Sequence, residues 1–499
     1  MSAKLRWLHG LLLALLMLGG ALFRLSDLTD APLDFHPTRQ IRSAIIARGM
    51  YYQNLPGVPE WQREYAIRQW QAQELIEPAI IETLSAATYV LAGGEYPWIG
   101  RLYSILFWLL GGVGLYLLAR RLMDTDSALI ALALYLGWQY AIIASRSFQP
   151  DPLMVAAVVW ALWGLVEWQR QPRWERAMVA GLLGGLALYI KFTAVFFIAG
   201  GWLGVIVAGG NWKGWLRNRQ FWLAAGLIAL LPLMYSLYAT LVLGSLQSQF
   251  SLRFFPAMWI DAVTYLRWWN RLIGVIAMPW LAVAALGFFT LRERSSRGLL
   301  LGWGAGYLIY GLLFSYYTAT HDYYHLPLLP LAALGAGAAL RALFHQMSGN
   351  QRWLRLVVAL VVALIFLSEG WAARTLLRRV NYRAEVARIE QIAAQFSPQD
   401  HLVSMAEHYS LPLVYWGWLR TTHWFGAGDF ALREAAGQPI DLQAYFQAQL
   451  SGRDFFLITD FEELDRQPQV EEWLNAHFPV FAQGEGYRVY DIRQQKESE

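Results

Sequence analysis

The 499-residue chain contains no cysteine, so it can form no disulfide, no thiolate metal site and no cysteine nucleophile. Charge is scarce as well. Asp, Glu, Lys and Arg make up 15% of the residues, where an average soluble domain carries about 25%. Internal repeats and low-complexity segments are missing too. What fills the chain is apolar: 57% of the residues, with 25 Trp and 25 Tyr, rings that favour the boundary between membrane and water. The sequence reads as a polytopic membrane protein. Its net charge of +4 comes mostly from Lys and Arg at the ends of apolar runs, so no nucleic-acid partner is expected.

Residues 1–24 resemble a signal peptide, with Lys4 and Arg6 ahead of LLLALLMLGGALF. No small-x-small cleavage site follows, and the segment reads as an uncleaved anchor. Apolar runs near the spanning length of about 20 residues occur at 5–24, 98–119, 127–145, 152–168, 175–190, 192–209, 221–243, 272–290, 298–315, 323–343 and 354–373. The expectation is about eleven transmembrane helices. A shorter run, PAIIETLSAATYVLAG at 78–93, carries Glu82. If this run does not cross, the loops holding Lys4, Arg120, Arg121, Arg170, Arg173, Lys213, Arg217, Arg292, Arg294, Arg341 and Arg355 all face the cytoplasm, as basic loops do. If it did cross, every later loop would break that rule. The N-terminus is therefore expected inside, and the C-terminus outside.

Three pieces then face out: 25–97, 244–271 and everything after about 375. The first reads as two interfacial helices, one with Ile41, Ile45 and Tyr52 on a stripe and one with Trp61, Tyr65, Ala72 and Ile76. NLPGVPE breaks them. The 244–271 loop carries Arg253, Arg267, Arg271 and several aromatics, and reads as an amphipathic flap or plain interfacial anchoring. In the tail, HLVSMA (401–406) and FFLITD (455–460) read as strands, followed by a helix and a strand pair. The expected architecture is an α-helical polytopic module over 1–375 with outer interfacial helices at 25–97, and a small α/β domain over 376–499.

Polar residues at outer ends are the candidates for chemistry, because such groups are costly beside a bilayer. Ala31–Tyr52 crowds Asp34 and His36 with Arg39, Arg42 and Arg48. Asp34 serves either a helix cap or a reaction, with Pro37 expected to hold His36 extended. Arg146 and Asp151 flank a short connection, as a snorkelling cation and a cap or as ligands. Lys191, in LALYIKFTAVFF, is a cation at an outer turn, suited to a lipid phosphate or to snorkelling. His321, Asp322, Tyr323, Tyr324 and His325 could bond sugar hydroxyls or phosphate oxygens, or form an interfacial belt. The i, i+4 spacing of His321 and His325, with a carboxylate, also permits a divalent metal.

The order of these features resembles the C-type membrane glycosyltransferases that use polyprenyl-phosphate-linked sugars. Among these are the protein O-mannosyltransferases, the lipid A aminoarabinose transferases and the lipopolysaccharide-core transferases. The matching features are Asp34 after the first run, Glu77-Pro78 before the short run, LLARRLM (117–123), Arg146, Lys191, and His321–Pro330. The resemblance covers about 1–375 and rests on order and spacing. The family commonly has Asp-Glu where this chain has Asp34-Phe35, which favours a metal-free mechanism without a cofactor. The resemblance implies inverting sugar transfer at the outer face of the cell membrane, with Asp34 as general base. Lys191, His321, Arg146 and Arg253 would hold the donor phosphate. His36, Glu77, Asp151, Asp322, Tyr324 and His325 would meet the acceptor or sugar. The acceptor would be lipid, polysaccharide or protein, and the other partners are membrane lipids. A transporter or flippase would instead place polar residues at mid-span, and a ligase of lipid-linked glycans would differ mainly in its donor.

Overall fold

The structure is a computed structural model that describes residues 3–73, 77–241, 254–346 and 352–494. It falls into two compact units. The first comprises 1–28, 75–81 and 98–380, and the second 29–74, 82–97 and 381–499.

The first unit is helical, and all eleven apolar runs overlap helices. Among the described residues six helices are long and apolar enough to cross a membrane, including Ala3–Arg24, Trp98–Leu122, Asp151–Arg170, Arg219–Leu241 and Leu328–Gln346. A seventh span exists if Ala262–Val275 and Met278–Thr290, bent by 91° at their junction, count as one. The protein is thus a multi-pass membrane protein, while the expected eleven spans exceed the six or seven that pass this test. Two of the remaining runs are broken, while Trp174–Ile190 and Ala194–Gly209 are 17 and 16 residues long. The run at 127–145 splits at Trp138 into Thr125–Gly137 and Gln139–Ala144, and the run at 272–290 straddles the 91° bend.

A broken helix in an apolar setting leaves carbonyls that must find donors. At the Trp138 break Arg24 supplies them. Its guanidinium, fully buried, donates to the carbonyls of Leu136 (2.9 Å), Ala141 (3.4 Å) and Gly20 (2.8 Å), and to Ser145 Oγ (2.6 Å). Arg101 likewise donates to the Leu28 carbonyl at 3.1 Å.

Helix contact in this unit is built on glycine. Gly200 and Gly204 of Ala194–Gly209 face Gly298, Gly302 and Gly306 of Arg294–Leu313 so closely that a Cβ on Gly302 would sit 2.2 Å from the Gly200 carbonyl oxygen. Small residues permit such backbone approach in lipid, where packing replaces the hydrophobic drive. Backbone cannot yield as a side chain can. Gly302→Val is therefore expected to cost at least about 1–3 kcal/mol, read as a lower thermal midpoint of the purified protein; an unchanged midpoint would contradict this packing.

The second unit contains a sheet of the strands β1 (His401–Met405), β2 (Arg420–His423), β3 (Phe455–Ile458), β4 (Val480–Gly484) and β5 (Tyr487–Asp491). Their order in the sheet is β2-β1-β3-β5-β4. β1 runs parallel to β2 and β3, while β5 pairs antiparallel with β3 and β4. Alternation feeds two cores. Val403, Phe456 and Ile458 face one side with Trp424, and Leu402, Phe455 and Leu457 face the other with Ile389 and Leu413. The expected strands at 401–406 and 455–460 and the strand pair are present, and β2 is an addition.

The expected stripe of Ile41 and Ile45 meets protein rather than lying bare: Pro37–Gln53 also buries Ala44, Ile46 and Ala47. Arg48 fixes this helix to the sheet region. Its guanidinium pairs with Glu95 at 2.9 and 3.0 Å, donates to the Tyr415 carbonyl and stacks 3.8 Å from the Tyr415 ring centre. Burial works to lower its pKa, but the Glu95 carboxylate prevails and holds it above the ordinary value. Arg48 thus serves inside the protein. Arg48→Ala would leave Glu95 without this partner and is expected to cost about 3–5 kcal/mol. The same unfolding measurement checks it, and a loss below 1 kcal/mol, the size for an exposed pair, would refute it.

Candidate functional site

In the first unit three of the expected residues meet at helix ends. Lys191 follows Trp174–Ile190 in extended conformation (φ −155°), ahead of Ala194–Gly209. Asp151 opens the helix Asp151–Arg170 behind Pro150. The Lys191 ammonium lies 2.8 Å from Asp151 Oδ1 and 3.5 Å from Glu77 Oε1. Asp151 is 2% and Lys191 7% exposed, so the pair is nearly dry. The ammonium also lies 5.8 and 5.7 Å from the ring centres of Tyr323 and Tyr324, within cation–π range. Tyr140 has the carboxylates of Asp322 and Asp151 as charged neighbours. The sequence suggests a lone cation at Lys191. Instead, one ammonium is shared by two carboxylates, those of Asp151 and Glu77.

His321 is half-buried among aromatic rings, with its Nδ1 2.7 Å from Thr320 Oγ1. His325 is wholly enclosed. Its Nε2 lies 3.0 Å from the Thr318 carbonyl and must donate there, so Nδ1 accepts from the Tyr307 hydroxyl at 2.8 Å. Tyr307 in turn accepts from the Trp268 indole at 2.9 Å. With both nitrogens engaged, His325 can serve neither the metal pair with His321 nor a sugar hydroxyl. Its part is structural. Among the described residues no three His, Cys, Asp or Glu side chains stand together as a metal site. Arg146 is buried too, its Nη2 donating to the Asp27 carbonyl at 2.9 Å. Arg253 lies outside the described residues.

The second unit holds Asp34 and His36. Asp34 is half-buried, and its Oδ1 accepts from the Gln40 amide at 3.1 Å, while the same Nε2 also donates to the Phe35 carbonyl at 2.7 Å. Asp34 is not the helix cap: that position is His36, which makes no side-chain cap. Nor is His36 extended as its following proline suggests. It takes φ +43° and ψ +65°, a left-handed conformation that turns the chain sharply into Pro37–Gln53. Tyr382 stands near Asp34 and Asp30, and burial followed by these carboxylates pushes its phenol pKa up. The Tyr382 amide donates to Asp30 Oδ2 at 3.0 Å, fixing this turn to the start of the tail.

Residues 78–238 match the family described as dolichyl-phosphate-mannose-protein mannosyltransferase. In structure the chain is similar to ArnT from Cupriavidus metallidurans in its apo state, with TM-score 0.64 and 15% identity over 98% of both chains. The fold is that of the C-type membrane glycosyltransferases. ArnT bound to undecaprenyl phosphate matches this C-type fold with TM-score 0.61 at 16% identity, again over 98% of both chains. The oligosaccharyltransferase AglB from Archaeoglobus fulgidus, in complex with an inhibitory peptide and a dolichol-phosphate, gives 0.53 at 13% identity, over 98% of this chain and 75% of that one. No curated protein sequence matches the chain.

Within this C-type fold, sequence reasoning singles out Glu77, Asp151 and Lys191 one by one but not their union. It passes over Arg24, Arg101 and Glu95 altogether. Each is a charge within or bordering a short apolar stretch, and that is the signal by which they could have been found.

Proposed function

We propose that the protein transfers a sugar from a polyprenyl-phosphate-linked donor to an acceptor at the extracytoplasmic face of the membrane, with inversion. The observation that carries this reading is the likeness to ArnT over 98% of both chains. The family match at 78–238 supports it, because that range contains the Arg146, Asp151 and Lys191 positions. The distribution of basic loops supports the side.

In the proposed reaction an acceptor hydroxyl or amine attacks the anomeric carbon opposite the phosphate. The bond from that carbon to the phosphate oxygen breaks, and the phosphate departs with the electron pair. Asp34 takes the acceptor's proton as general base. Lys191 and His321 offset the charge gathering on the leaving phosphate. The carboxylates of Asp151 and Glu77 hold the Lys191 ammonium in place ahead of the donor. Asp322, Tyr324 and His36 are the proposed contacts for sugar or acceptor. Arg146 is anchored to the chain after the first helix and steadies the 145–150 connection.

A second reading, ligation of a whole glycan from a lipid pyrophosphate, is favoured by the likeness to AglB. One experiment separates them. The protein reconstituted in vesicles is given polyprenyl-monophosphate and pyrophosphate donors labelled in the sugar, with cell-envelope extract as acceptor. Transfer from a monophosphate donor, with release of free polyprenyl phosphate, is the expected result. Transfer only from pyrophosphate donors supports the ligase, and transfer from neither overturns both.

A further inference from the structure

A cavity of about 280 Å³ opens in the second unit, just below the usual size of ligand clefts. Three tryptophans, Trp61, Trp416 and Trp418, line it with Phe396, Glu390 and Ser397. This mixture differs from the larger groove of the first unit, where Tyr265, Trp268, Leu272 and Leu308 present an almost wholly apolar wall. An acyl or isoprenoid chain would suit that groove. A wall of flat rings with a carboxylate and a hydroxyl suits a sugar, whose C–H faces lie on rings and whose hydroxyls need acceptors and donors.

The platform is also held in place ahead of any ligand. Trp418 has φ +53°, a conformation that a bulky residue rarely adopts, and such strain persists only where the surroundings enforce it. They do so here. Arg48 lies 4.3 Å from one Trp418 ring centre, and Tyr52, Trp61 and Tyr65 pack around the indole with ring centres 5.5, 6.0 and 5.6 Å away. The Tyr65 hydroxyl, 2.6 Å from the Leu419 carbonyl, pins the next residue. At Gly417 a Cβ would meet the Leu413 carbonyl oxygen at 2.6 Å, so the turn admits no side chain.

We propose that this cavity is a carbohydrate-binding subsite that seats one ring of a glycan acceptor. The word acceptor rests on the sugar-transfer reading; the binding itself does not. Preorganised rings lower the ordering cost of binding, and a subsite remote from the reacting atoms would add affinity and register to the acceptor.

The test uses the full-length protein in lipid nanodiscs. Saturation-transfer NMR is run with mannotriose, maltotriose and methyl β-galactopyranoside as probes. Ring-proton signals from at least one probe are expected with the wild type. An affinity weakened about tenfold or more is expected for Trp416→Ala, with a smaller loss for Glu390→Gln, an exposed and nearly isosteric change that should leave the fold intact. Absence of signal with every probe, or equal affinity in both variants, overturns the proposal. Sugar binding lost in the variants while no donor sugar is ever transferred keeps the subsite and removes the transferase reading. Transfer by Trp416→Ala at the wild-type acceptor KM does the reverse.

Discussion

Asp34→Asn is expected to lower kcat for transfer by about 10²–10⁴-fold, the usual worth of a positioned general base. Donor KM and the thermal midpoint should stay near wild type. The substitution keeps shape and removes only charge and basicity. The Gln40 amide can still donate to the asparagine oxygen, so the turn through His36 keeps its support. Asp34→Glu is the companion variant. It restores the carboxylate but displaces it, and should recover part of the rate. Initial rates at saturating donor and acceptor make the comparison. A rate within threefold of wild type in folded Asp34→Asn would assign the base elsewhere.

Lys191→Met should show the largest combined effect. It removes the ammonium that both Asp151 and Glu77 hold. Breaking a buried pair by deleting one partner costs about 3–5 kcal/mol, because the remaining charge is uncompensated. The double variant Lys191→Met, Asp151→Asn should be more stable than the single one, since it removes one of the stranded charges. That ordering is the decisive comparison, as a purely steric defect would add rather than cancel. Unfolding of the purified variants reads it. Activity gives the second view: if Lys191 serves the phosphate, the stabilised double variant should still require more donor.

How far the sequence led can be judged from particular residues. Every apolar run that hydropathy located in the first unit overlaps a helix, because burial in lipid needs little more than apolar length. Hydropathy did not foresee the break at Trp138 or the 91° bend after Val275. A window average carries no direction, and Trp138 is as apolar as its neighbours. The strands β1 and β3 were legible from short β-branched and aromatic runs. β2 (Arg420–His423) was not, since four polar residues on an edge carry no apolar alternation. At the site, Asp151 and Lys191 stood out singly as charges among apolar residues, yet they are 40 positions apart and only the packing of two helices joins them. His36 went the other way. A following proline disfavours helical geometry for the preceding residue but leaves the left-handed basin to context, and the tight entry into Pro37–Gln53 selected it.

Finally, the second unit is sewn from three separate stretches, and Arg48 and Tyr65 find their partners 367 and 354 positions later in the chain. Synthesis must therefore lay down most of the membrane helices while the early stretch still waits. Until the tail arrives, Arg48 has only Glu95 to offset its charge, and the turn carrying Asp34 lacks the Tyr382 amide at Asp30. The turn that carries the proposed base is therefore complete only once all three stretches have been made.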